Sequence, residues 1–209
     1  MDDNPDPARQ AKLLADKKES EFNHHLAGIL VALAGLLILT GEKFKNRWTW
    51  IKYAWPVCFL LSGIFVFVFS DTELWPFGHK SWWVGLTTDM EVLQHKTFAV
   101  ILLGLGIIEI LRAKGRLRAA WSAWVFPVVT LCGSILLLFH SHDAGMHGPD
   151  AMNTMEKIQM QHFSYAALGV GIAVTKGFAD SQTSLGKISR YVWPILMVTL
   201  GVILARYTE

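Results

Sequence analysis

Apolar residues along this chain gather into long runs separated by short polar stretches. Six runs stand out, at about 24–41, 51–70, 92–112, 120–140, 158–176 and 190–206. A helix needs roughly 20 mainly apolar residues to cross ~30 Å of hydrocarbon, and each run meets or approaches that length. Strand alternation is not the pattern, and the polar segments between runs are too short for a soluble domain with its own core. The expected fold is therefore all-α: a polytopic transmembrane bundle of about six spans over residues 24–209. It would follow a polar tail or surface helix over residues 1–23. That first segment holds six acids against four bases and no apolar h-region, so it does not read as a secretory leader. Ala11, Leu14 and Phe22 would share one face if 8–22 is helical.

Charge then orients the spans. Loop 1–2 holds Lys43, Lys45, Arg47 and Lys52. Loop 3–4 holds Arg112, Lys114, Arg116 and Arg118, and loop 5–6 holds Lys176, Lys187 and Arg190. The alternate loops carry only Lys80 and Lys157, with Arg206 near the C-terminus and Lys96 just inside span 3. Cytoplasmic loops are enriched in Lys and Arg, so both termini are expected outside. The bases of the tail, Arg9, Lys12, Lys17 and Lys18, oppose this locally. In a bacterium the protein would sit in the inner membrane with its termini in the periplasm. Most of the nine tryptophans fall near span ends, where indole favours the headgroup layer. A net charge of +2, with its bases in short loops, gives no surface for nucleic acid.

The candidate chemistry lies on one side. All eight histidines fall at outer span ends or in outer loops under this topology: His24, His25, His79, His95, His140, His142, His147 and His162. Met90, Met146, Met152, Met155 and Met160 fall on the same side. Imidazole suits several transition metals and thioether sulfur favours Cu(I), so the mixture points to copper. His24, His25, His95, His140, His142 and His162 are the candidate ligands. Met146, His147, Met152 and Met155 form a candidate capture site, with Asp143 and Glu91 as supporting carboxylates. Glu91 and His95 are spaced i,i+4, as are Glu21 and His25, which suits orientation of an imidazole or an ordinary surface pair equally. Met155, Gln159 and His162 fall on one helical face by spacing. Glu109, the one acid well inside a span, reads more as a structural partner near Arg112 than as a functional group. Cys58 and Cys132 lie in apolar runs and read as small buried residues. No hydrolase or nucleotide signature is present, and no catalytic role is expected.

Three span starts also look alike: Asn23-His24-His25-Leu26-Ala27, Gln94-His95-Lys96-Thr97-Phe98-Ala99 and Gln161-His162-Phe163-Ser164-Tyr165-Ala166. The pattern is that of a weak parallel repeat or of chance.

Glu91-Val-Leu-Gln-His95 at a span start, the span end His140-Ser-His142, and His162 near the next start resemble the copper-resistance D (CopD/PcoD-like) membrane family. The close of the chain, from Trp193-Pro194 through Gly201 to Tyr207-Thr-Glu, is also similar. The resemblance covers roughly residues 24–209. It implies an inner-membrane protein that handles periplasmic copper, often together with a periplasmic copper carrier; no carrier domain is fused here. An alternative is a haem b protein with two histidines clamping the iron, for which His95 and His162 have matching depth. A third is a non-catalytic membrane assembly subunit.

Overall fold

The structure is a computed structural model that describes residues 7–44, 47–139, 149–181 and 183–208. Among these residues it is all-helical. The helices are α1 (Pro7–Lys43), α2 (Ile51–Phe69), α3 (Trp82–Thr88), α4 (Met90–Ala113), α5 (Ser122–Leu137), α6 (Pro149–Ala179) and α7 (Ser184–Leu204). Six of them correspond to the six apolar runs. The seven-residue α3 falls in a stretch read from sequence as a loop.

Local chemistry sets the boundaries. Ser81 caps α3 by accepting from the Val84 amide at 3.3 Å. Asp89 caps α4, accepting from the amides of Glu91 at 3.2 Å and Val92 at 3.3 Å. Thr183 caps α7 through the Gly186 amide at 3.2 Å. Such side-chain oxygens satisfy donors that a helix start leaves without intrahelical partners. After α4 the chain turns at Gly115, whose φ of +68° suits a residue without Cβ.

The polar segment after Pro7 is helical and runs into the first apolar stretch without a break. At 37 residues, α1 is about 55 Å long, longer than a bilayer core is thick. Among the described residues, three helical segments are both long and apolar enough to cross a membrane: Gln10–Lys43, Ile51–Phe69 and Ser184–Leu204. The expectation of about six is thus met in part. Ser122–Leu137 is apolar but shorter. The other two, α4 and α6, are 24 and 31 residues long but carry polar and charged groups. Several of those groups turn inward: Lys96, Glu109, His162 and Lys176 are all buried.

Packing contacts arrange the six long helices as a ring in the order α1, α2, α4, α5, α6, α7 and back to α1. The α4/α5 seam is the sparsest, and α3 leans on α4. The tightest crossing joins α1 to α7. A Cβ on Gly28 would come within 2.5 Å of the Ala205 nitrogen, so only glycine allows these backbones to approach so closely. Below the middle of the ring, Trp55, Phe59, Phe126 and Trp193 meet edge to face, with centroids 5.7–6.2 Å apart. This geometry suits the aromatic quadrupoles and closes the bundle on that side.

Candidate metal centre

Above the aromatic cluster the ring is hollow. A cavity of about 1270 Å³ runs from a polar mouth, with Glu19, Asp71, Asp89 and Glu91, down to Phe59, Phe126 and Met197. Ligand pockets usually occupy about 300–1,000 Å³, so this space is large for packing slack. His24 from α1, His95 from α4 and His162 from α6 all line it. His95 and His162, placed at matching depth by their positions in the sequence, both line this cavity.

Two of these imidazoles, His24 and His162, lie near each other. Their ring centroids lie 6.2 Å apart with planes at 74°. His24 Nδ1 donates to the Ser20 carbonyl at 2.8 Å, and His162 Nδ1 donates to the Ile158 carbonyl at 2.9 Å. A carbonyl only accepts, so both Nδ1 atoms carry the proton. The neutral ring then has its lone pair on Nε2, the form that ligates a metal. Backbone carbonyls are among the usual partners that fix the tautomer of a ligating histidine. With metal–nitrogen bonds of about 2 Å, two imidazoles on opposite sides of one ion have their ring centres roughly 6 Å apart, and this pair meets that spacing.

The C-terminal tail frames the pair. Tyr207, completely buried, stacks on His24 with centroids 3.9 Å apart and planes at 21°. It meets His162 edge-on at 6.3 Å. The tail is fastened twice: His25 Nε2 donates to the Tyr207 carbonyl at 2.9 Å, and Gln161 Nε2 donates to the Thr208 carbonyl at 3.0 Å. His25 therefore holds the tail next to the neighbouring histidine, and it is not among the cavity-lining residues.

His95 is supported differently. Its Nδ1 donates to Asp71 Oδ1 at 2.9 Å, while Lys96 Nζ reaches Asp71 Oδ2 at 2.7 Å. Ser70 also donates to Asp71, and Lys96 donates to the Phe67 carbonyl at 2.9 Å. Burial opposes ionisation of Asp71, but the hydrogen bond and charge of His95, with hydrogen bonds from Lys96 and Ser70, outweigh it and hold the carboxyl below the usual carboxylate range. Glu91, the carboxylate expected near His95, lines the same cavity, and Asp71 accepts a hydrogen bond from His95. Glu21 pairs with Lys17 at 3.8 Å.

His140, His142, Asp143, Met146 and His147 lie outside the described residues, as does the side chain of Met152. Met155 is 43% exposed and Gln159 is exposed, so the buried stripe of α6 is Ile158, His162 and Tyr165. Among the described residues, no group of three or more His, Cys, Asp or Glu side chains is gathered closely enough to hold a metal ion. Glu109 pairs with Arg112 at 2.7 Å near the opposite end of α4, as its sequence position suggested.

Asp71 and Tyr207 are the two residues that the sequence reading missed. Asp71 follows an apolar run, and its partner His95 is 24 residues away. Tyr207 belonged to the closing motif of the family resemblance, but nothing local marked it as a neighbour of His24. No family model, curated protein or solved structure matches the chain.

Proposed function

We propose that this chain is an integral membrane protein that binds copper at the outer face of a six-helix bundle and passes it inward or to a partner. The observation that carries the reading is the His24–His162 pair: two imidazoles 6.2 Å apart on facing helices, each with Nδ1 fixed by a helix carbonyl. A two-nitrogen arrangement suits a soft, low-coordinate ion, and His95 is a third imidazole on the same cavity. His140 and His142 would complete the shell, and Met146, His147, Met152 and Met155 would capture the ion before it enters. This reading agrees with the resemblance to the copper-resistance D family, and a periplasmic copper carrier is the corresponding partner. The orientation that goes with it has six spans, both termini outside and Lys43 and Arg116 in the cytoplasm. Labelling of a cysteine at position 43 from the outside would reverse that orientation and remove the histidines from the periplasm.

A second reading is favoured by one observation, the size of the cavity below the pair and its apolar lower walls: Phe98, Ile101, Leu102, Leu105 and Val129. A haem b clamped by His24 and His162 would use that space as well as the nitrogens. One experiment separates the readings. Protein purified without chelator is analysed for copper and iron, and its absorption spectrum is recorded. Copper near one equivalent without a Soret band supports the first reading. Iron with a Soret band supports the second. Protein that takes up neither copper nor haem when either is supplied refutes both.

A further inference from the structure

A second pocket, of about 470 Å³, opens at the other end of the bundle, where α2, α4, α5 and α6 come together. Its charged lining is Lys52, Arg112, Arg118 and Lys176 against Glu109 and Asp180, four cations to two anions and a surplus of two. The inner four neutralise one another. Arg112 bonds Glu109 at 2.7 Å and Asp180 at 3.1 Å, and Lys176 bonds Asp180 at 3.1 Å. The surplus is Lys52 and Arg118. Both are exposed. Lys52 lies over the Tyr53 ring at 5.0 Å, and the Arg118 Nε donates to the Gly115 carbonyl at 2.7 Å; among the described residues neither has a carboxylate partner. Between them the wall is made of small residues, Ala113, Ala119, Ala120, Ser122 and Ala123, which leave room for a group the chain does not supply. Trp121 and Trp124, each 60% exposed, flank this wall. Exposed indoles of this kind settle at the level of lipid headgroups.

We infer that this pocket binds the phosphate of an anionic phospholipid, with Lys52 and Arg118 as its direct partners and the Glu109–Arg112–Asp180–Lys176 cluster as a neutral floor. Basic pockets between spanning helices on the cytoplasmic side are suited to such headgroups. The site is independent of the histidine cavity and of any metal. A planar guanidinium matches two phosphate oxygens, and an ammonium adds a point charge beside it. The acyl chains would lie along the apolar outer surface of α5, where Val128 and Ile135 are 52% and 47% exposed.

The test is native mass spectrometry of the full chain with added phosphatidylglycerol, phosphatidylcholine or inorganic phosphate. Phosphatidylglycerol should give a discrete single adduct that survives activation better than that of phosphatidylcholine. Lys52→Gln and Arg118→Gln should each weaken it roughly fivefold, and the double variant should abolish the preference. Both side chains are exposed, so the variants should fold, which thermal melting checks. Equal retention of the two lipids, or an unchanged preference in the folded double variant, would overturn the assignment. Inorganic phosphate competing as well as the lipid would show that the site holds free anions and would also overturn it.

Discussion

The two ends of α4 carry two clusters of ionisable groups, and they are built on different plans. Near its C-terminal end, Glu109 and Arg112 join Lys176 and Asp180 in a network in which every charge meets an opposite one. Lys176 also lies over the Trp193 ring at 5.1 Å, so this network is tied to the aromatic floor. Near the N-terminal end, Asp71 answers both His95 and Lys96, and beyond it the ring opens into the cavity where His24 and His162 stand. Charges matched to one another hold helices in place; removing one partner is costly because it leaves the other buried and uncompensated. His24 and His162 each donate Nδ1 to a helix carbonyl beside that cavity. By this contrast the lower network is a clasp and the upper end is the candidate site, with Asp71 at the border between the two.

Asp71→Asn breaks the comparison at that border and should have the largest effect. It leaves Lys96 buried beside a neutral amide, at a cost of about 3–5 kcal/mol in stability. The pH dependence has a definite sign. The carboxyl of Asp71 lies below its ordinary value in the folded protein, so its stabilisation is present above the ordinary carboxylate range and fades as pH falls through the lowered value. Wild-type protein should therefore lose stability in acid over a window that Asp71→Asn lacks. Detergent-solubilised melts across that pH range measure both; an unchanged melting temperature at neutral pH would show that Asp71 does not support this end of the bundle.

His162→Ala tests the site directly. Changes outside the ligand shell already cost 10–100-fold in metal affinity, so loss of a ligand should cost at least about 100-fold. His24→Ala should match it. Lys176→Met, at the clasp, should lower stability and leave bound metal unchanged. If instead Lys176→Met lost the metal while His162→Ala kept it, the roles of the two ends would be exchanged. Titration with Cu(I) at buffered free concentration reads affinity, and a melt reads stability.

Tyr207→Leu sharpens the picture within the upper end. The ring touches His24 face to face and His162 edge-on. Removing it should loosen both imidazoles without removing a nitrogen, for a loss of about tenfold in affinity. Tyr207→Phe keeps the ring and should restore most of the affinity. Equal loss in Leu and Phe variants would assign the effect to the hydroxyl instead.

How much of this could be read beforehand follows from the distance over which each feature acts. Helices are local, so apolar runs located all six long elements, and α3 was missed because seven residues rich in Trp and Gly resemble a loop. Composition alone marks only three of the described helices as long and apolar enough to cross a membrane, because α4 and α6 carry polar groups, several of them buried. Of the candidate site, three of the singled-out histidines, His24, His95 and His162, line one cavity. Spacing along a helix places Glu91 one turn from His95, but it cannot display a partner brought in from another segment. Asp71, which bonds His95, comes from just beyond the end of α2. The His24–Tyr207 stack joins the two ends of the described chain, and only tertiary structure brings them together.

Met155→Ala should have the smallest effect, and it separates capture from holding. Met155 stands two turns before His162 on α6 and by spacing lies almost directly above it. Yet it is 43% exposed and does not line the cavity, whereas His162 is 4% exposed and does. A side chain in that position can meet an ion on its way in but contributes little to the bound state. Equilibrium affinity for Cu(I) should therefore change by less than about twofold, a difference of about 0.4 kcal/mol. The rate of loading at low free copper is where a capture role would appear, so stopped-flow loading of wild type and Met155→Ala should differ while equilibrium titrations overlay. A tenfold loss at equilibrium would move Met155 into the ligand shell, and would require the start of α6 to fold inward over the His24–His162 pair.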